Sequence, residues 1–324
     1  MLPFEPLFRS PHLQTVLSHY WPRPDVSREF PIERRVIETE PGVRVAVLSQ
    51  RPNGEPRGEV ILVHGLEGSA DACYMRSLSA AVLRAGFASH RFNMRTCGGT
   101  EHLCNTLYHA GLTSDLLAVL REFRREGRGP AVVAGFSLGG NVVLKLAGEL
   151  GESAAGLIAG VAAVSTPLDL AACSRRIAEP DNRLYEARFV RRMRARLRAT
   201  GRYKKRDLEG LQSVLALDDR ITAPSFGFGD AANYYRTQSS IGYLAGIRVA
   251  ALLIQAQDDT FIPFSIYQSA AVRANPRIRL VVTDRGGHLG FLSRSPHRFW
   301  VDHAIMDWIS GTVVNNQKLK SSGV

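Results

Sequence analysis

The apolar residues of this chain keep changing their period. Over residues 43–49 valines occupy alternate positions (Val43, Val45, Val47), as on a half-buried strand, and residues 60–63 form a short unbroken apolar run ending in His64-Gly65. Over 74–84 the period lengthens: Met75, Leu78, Ala81 and Val82 fall three or four apart, and Gly86 follows where a helix ends. The exchange then repeats. Strands are predicted at 87–92, 131–134 and 157–164, with helices at 113–126 and through Val142, Val143, Leu146 and Leu150. Such alternation predicts an α/β class with a mostly parallel central sheet and helices on both faces.

The pattern breaks over 167–246, which is helix-like or irregular, and resumes with strands at 249–254 and 278–282, each followed by a helix-like stretch, at 265–273 and 296–309. The organisation expected is therefore an N-terminal extension (1–42), a core (43–166 and 247–311), a helical cap inserted at 167–246, and a tail (312–324) whose last ten residues have a disordered composition.

Composition narrows the function classes. With 45% hydrophobic and 22% charged residues the chain is expected to fold, and no uncharged run is longer than 153–168, which contains Gly156, Gly160 and Pro167 and is too short for a membrane helix. The first charged residue is Glu5, which does not suit a signal peptide. Four scattered cysteines, at 73, 97, 104 and 173, suggest reduced thiols and a cytoplasmic protein.

The net charge of +11 is concentrated in one place. Residues 175–206 carry 13 basic and three acidic side chains, so +10 of the +11 lies in the expected cap. A fold-wide nucleic-acid surface would not look like this, and no specific nucleic acid is expected as partner. Phe189, Met193 and Leu197 recur every four residues, so the arginines face water on an amphipathic helix or meet anionic lipid or anionic esters.

Gly135-Phe136-Ser137-Leu138-Gly139 matches Gly-x-Ser-x-Gly, and its context, a buried strand before and an apolar-faced helix after, suits a turn that pushes a serine hydroxyl into a cleft. Serine needs a base, and the base a carboxylate, expected in the order Ser, Asp, His. Asp258 and Asp259 follow one late strand and His288 the next, both at carboxyl ends. Asp259 is preferred because Pro263 follows four residues on, although Asp258 stays open. Two backbone donors for an oxyanion are expected from Leu138 and, in His64-Gly65-Leu66-Glu67-Gly68, from Leu66. Cys97, His102, Cys104 and His109 match no metal spacing, and no Gly-x-Gly-x-x-Gly follows the first strands; neither metal nor other cofactor is expected.

Together with Pro11-His12-Leu13-Gln14-Thr15, Asn93-Met94-Arg95 with Gly98-Gly99, Tyr108-His109-Ala110-Gly111, Gly140-Asn141 and Gly286-Gly287-His288-Leu289-Gly290-Phe291, these motifs resemble the YheT-like branch of the α/β-hydrolase superfamily over residues 11–310. The resemblance implies a serine hydrolase fold with a helical cap, described mostly for carboxylesterases, with relatives acting on acylglycerols or phospholipids. It puts the triad on Ser137, Asp259 and His288. Thr260 stands where relatives often have proline, which keeps the choice between Asp258 and Asp259 open. The function expected is hydrolysis of short- to medium-chain esters, acylglycerols among them, through an acyl-enzyme. The alternatives are an acyltransferase or phospholipase with the same triad, or a silent binding protein.

Overall fold

A computed structural model describes residues 3–294 and 296–321, those from 312 onward by backbone alone. Its apolar runs become strands: β1 (Glu33–Glu40), β2 (Val43–Gln50), β3 (Glu59–Val63), β4 (Ala88–Phe92), β5 (Ala131–Phe136), β6 (Ile158–Val164), β7 (Ala250–Ala256) and β8 (Ile278–Thr283). Among the described residues they form one eight-stranded sheet in the order β1-β2-β4-β3-β5-β6-β7-β8. β3 to β8 run parallel, while β2 is antiparallel to both of its neighbours.

The central strands are buried on both faces and sort their side chains by period two. Val60 and Leu62 enter one apolar layer with Met75, Leu78 and Val82 of α2 (Cys73–Arg84), whereas Ile61 and Val63 enter the other with Leu116, Leu120 and Phe123 of α3 (Ser114–Arg125) and Val143 and Leu146 of α4 (Leu138–Leu150).

The expected N-terminal extension contains more than a connector. Its residues form α1 (Pro11–Tyr20) and the edge strand β1, of which only Ile37 is buried. A strand with one open edge and mostly charged side chains carries almost no alternation, which is why the pattern of apolar residues did not reveal it.

Between β6 and β7 lie α5 (Leu170–Ile177), α6 (Arg183–Ala199), α7 (Val214–Leu217), α8 (Ala223–Ser225) and α9 (Ala231–Gln238). The buried seam of α6 is Val190, Met193 and Leu197; Phe189 is half-buried. Beyond β7 come α10 (Ala270–Ala274) and, after β8, α11 (Trp300–Ser321). α11 starts four residues later than the helix predicted at 296–309 and runs through most of the expected tail, whose residues 322–324 lie outside the described residues.

The chain leaves β3 toward β4 on one side and returns across it to β5 on the other, so the carboxyl ends of β3 and β5 open side by side at a switch of winding direction, where α/β sheets place their ligands.

Candidate active site

Ser137 sits at the bend between β5 and α4 with φ 51° and ψ −122°, a conformation that costs a non-glycine residue on the order of 1–3 kcal/mol. The surroundings enforce it. The Ser137 N–H donates to the Val164 carbonyl at 2.8 Å, and the Gly140 N–H to the Ser137 carbonyl at 2.9 Å. A methyl group at Gly135 would overlap the Gly139 carbonyl, and one at Gly139 the carbonyls of Val63 and His64, so both flanking glycines are steric requirements.

His288 Nε2 lies 2.9 Å from Ser137 Oγ, and its Nδ1 lies 3.0 and 3.1 Å from the two carboxylate oxygens of Asp259. Asp259 is held by backbone: its Oδ1 accepts the N–H groups of Phe261 (2.9 Å) and Ile262 (3.2 Å), while Gln255 Nε2 donates to Oδ2 at 3.3 Å. Asp258 faces elsewhere. Its Oδ1 accepts the Gly287 N–H at 2.9 Å, bracing the turn before His288, and burial raises its pKa. The two neighbouring carboxylates thus hold different parts of one loop.

The turn after β3 closes with the Gly68 N–H donating to the Gly65 carbonyl at 3.0 Å, and Glu67 takes φ 53°, as the third position of a type II turn requires. His64 is fully buried, and burial lowers its pKa to about 4, so its ring is neutral near pH 7. Its Nδ1–H donates to the Gly65 carbonyl (2.8 Å) and its Nε2 accepts the Met94 N–H (3.1 Å). Tyr74 Oη takes the Gly65 N–H and Tyr108 Oη the Glu67 N–H, each at 3.0 Å. Among the described residues no acceptor meets the N–H of Leu66 or of Leu138, the two donors expected from the motifs. Both residues line the cavity that reaches Ser137.

Two chambers meet at Ser137 and His288 and share Leu66, Phe189 and Phe261. The first, about 790 Å³ and partly open to solvent, runs beneath the inserted helices and is lined mainly by apolar groups such as Leu138, Leu170, Ile177, Met193, Val214 and Ile262. Its polar members are tied up: Arg196 of α6 donates to Glu67 Oε1 at 2.8 Å and to Thr96 Oγ1 at 2.9 Å, and Asp218 Oδ2 accepts from Tyr235 at 2.7 Å. The second chamber, about 1520 Å³ and also open, lies along α1 and α6.

The four residues weighed as a metal set do not gather. Cys97 is buried in the core, and His109, its pKa lowered to about 3 by burial, stands among the rings of Phe226, Phe228 and Tyr234. Among the described residues no cluster of three His, Cys, Asp or Glu side chains has metal-binding geometry.

Comparison with known proteins matches the alpha/beta hydrolase family over residues 60–301. The chain belongs to this family. The hydrolase is 28% identical to YheT of Escherichia coli (strain K12) over 94% of its own length and 91% of that protein, and 28% identical to a monoacylglycerol lipase of Saccharomyces cerevisiae over 75% of its length and 57% of the lipase. The esterase Pf2001 of Pyrococcus furiosus superposes with a TM-score of 0.57 at 18% identity, covering 92% of this chain and 98% of that one, a likeness of fold. Among the described residues no helix of the hydrolase is long and apolar enough to cross a membrane.

Some supports of the site carried no chemical signal in the sequence. Thr15 Oγ1 accepts the His288 N–H at 2.9 Å, and the fully buried Gln14 brackets Leu292, donating to its carbonyl (3.1 Å) and accepting its N–H (2.9 Å). Helix α1 therefore clamps the histidine loop from 273 residues away in sequence. The one trace of this was the Pro11-His12-Leu13-Gln14-Thr15 motif, which belonged to the resemblance and not to any chemistry legible by itself.

Proposed function

We propose that this hydrolase cleaves carboxylic esters of short- to medium-chain acyl groups, acylglycerols among them, through an acyl-enzyme on Ser137. The supporting observation is the unbroken hydrogen-bond chain from Ser137 Oγ through His288 to Asp259 at the floor of an apolar cavity. Ser137 Oγ attacks the ester carbonyl while His288 Nε2 takes its proton; Asp259 holds the Nδ1 tautomer and stabilises the imidazolium. The carbonyl oxygen becomes an oxyanion, stabilised by the N–H groups of Leu66 and Leu138. His288 returns the proton to the leaving alcohol, and water then attacks the acyl-enzyme by the same steps. The cavity beneath α5 to α9 receives the acyl chain, since its lining is mainly hydrocarbon.

The test is fluorophosphonate labelling of wild type and Ser137→Ala, followed by hydrolysis of p-nitrophenyl esters from short to long acyl chains. Labelling lost in the variant, with an optimum at short or medium chains, is expected. A folded wild type that takes no label would instead favour a silent binding protein on this fold.

A second reading concerns where the enzyme works: α6 and α1 contact anionic lipid. It is favoured by Leu184, 78% exposed at the start of α6, and by exposed Leu13, Val16 and Tyr20, which form one stripe along α1. The helices are joined by His12 and Tyr185 (3.1 Å), and Arg188 of α6 bonds to His19 and Tyr20 beside the apolar stripe. Wild type is expected to sediment with anionic vesicles more than with neutral ones, and Leu184→Ser with Tyr20→Ser to reduce this. Equal weak binding to both vesicle types would leave a merely solvated basic helix.

A further inference from the structure

The second chamber differs from the first in charge. It is walled by α1 on one side and by Tyr185, Arg188, Phe189 and Arg192 of α6 on the other, with Ser137 and His288 at its base. Among the described residues neither arginine pairs with a carboxylate. Arg188 bonds to Tyr20 Oη (3.2 Å) and His19 Nε2 (3.0 Å), both uncharged partners, and among the described residues Arg192 meets no carboxylate. The one acidic side chain in the lining, Asp71, is already paired with Arg91 at 3.2 Å. The pKa of His19 is lowered by burial and then by Arg188 and Arg192, so no third cation is expected there near pH 7 and the field comes from the two guanidiniums.

This matters because of what an ester divides into. If the acyl chain lies in the apolar chamber, the alcohol portion departs through the other, on the side where α1 holds the histidine loop that must protonate the leaving oxygen. A cleft lined by charge of one sign concentrates ligands of the opposite sign, and guanidinium groups four residues apart on one helix face suit a multi-oxygen anion.

We propose that the chamber between α1 and α6 is a leaving-group subsite for esters whose alcohol portion carries an anionic group, held by Arg188 and Arg192. The inference rests on the ester-hydrolase reading and names a substrate class within it.

Four soluble octanoyl esters test it: 1-octanoylglycerol and its 3-phosphate, and O-octanoyl-lactamide and O-octanoyl-lactate. In each pair the acyl group is the same and the alcohol portion changes from neutral to anionic, nearly isosterically in the lactamide and lactate pair. The anionic member is expected to have kcat/KM about ten-fold higher at low salt, a preference that shrinks as ionic strength rises. Arg188→Gln/Arg192→Gln should abolish the preference, chiefly by raising KM for the anionic esters, and the double lysine variant should restore part of it. Arg198→Gln, the same charge change elsewhere on α6, should leave the ratio as it is in wild type.

A preference confined to one pair identifies phosphate or carboxylate as the group recognised. Equal or better turnover of the neutral esters, or a preference that the double glutamine variant retains, would overturn the subsite while leaving the hydrolase intact. Turnover of none of the four would count against the hydrolase reading itself, and the subsite would fall with it.

Discussion

The parallel core and the inserted helices hold their functional groups by different means. In the core, every tie has a backbone group at one end: Ser137 N–H meets the Val164 carbonyl, Asp259 accepts two N–H groups, and the N–H groups of Gly287 and His288 meet the short side chains of Asp258 and Thr15. In the insertion the ties are long side chains. Arg196 reaches across to Glu67 in the turn after β3, and Asn182 Nδ2 reaches the Thr260 carbonyl at 2.7 Å. Backbone positions at strand ends are fixed by the whole sheet, whereas side-chain ties can change one at a time. On the proposed reading, bonds break where backbone groups fix the reacting side chains, and the substrate is selected where side chains do the fixing.

The widest contrast should appear between two adjacent carboxylates. Asp259→Asn is expected to lower kcat by about 10⁴, because the amide no longer selects the tautomer that Ser137 needs. Asp258→Asn should cost no more than about ten-fold, the scale of one hydrogen bond to the Gly287 N–H. Steady-state kinetics on both variants decide it, and losses of similar size would erase the division of labour in this loop.

The next effect probes the tie between the regions. Arg196→Met strands the buried Glu67 carboxylate and should reduce unfolding free energy by about 3 kcal/mol in denaturant titrations. Adding Glu67→Gln should recover most of that loss, since the uncompensated charge is then gone. A single variant as stable as wild type would mean that the insertion is not coupled to the turn through this pair.

The smallest effect is a pH dependence. Burial raises the pKa of Asp218 to about 6, above the ordinary carboxylate range. Its contribution to stability is complete below about pH 4 and is lost as pH rises through 6, because the unfolded carboxylate ionises first. Stability should fall by on the order of 2 kcal/mol over that interval relative to Asp218→Asn, which lacks the ionisation. Parallel slopes in the two proteins between pH 4 and pH 6 would show that Asp218 ionises freely in the folded state.

The sequence is most legible where a residue's neighbours along the chain are also its neighbours in space. The strand of Ala131 to Ala134, the glycines around Ser137 and the helix that follows are consecutive, so their period and steric demands are visible locally. β1 was hidden because an exposed edge strand carries charge instead of alternation, and α1 because its purpose, clamping the His288 loop, joins residues 273 apart.

Local periodicity and backbone sterics were enough for the α/β alternation, the break in it between the strands that became β6 and β7, the concentration of charge and the serine bend. Which of Asp258 and Asp259 meets His288, that among the described residues no acceptor meets the N–H of Leu66 or Leu138, and that a second chamber bearing Arg188 and Arg192 joins the first at Ser137 emerged only from packing. Hydrogen bonds form by distance and direction, and cavities by what fails to fill them; both depend on how separate elements pack, which no local pattern encodes.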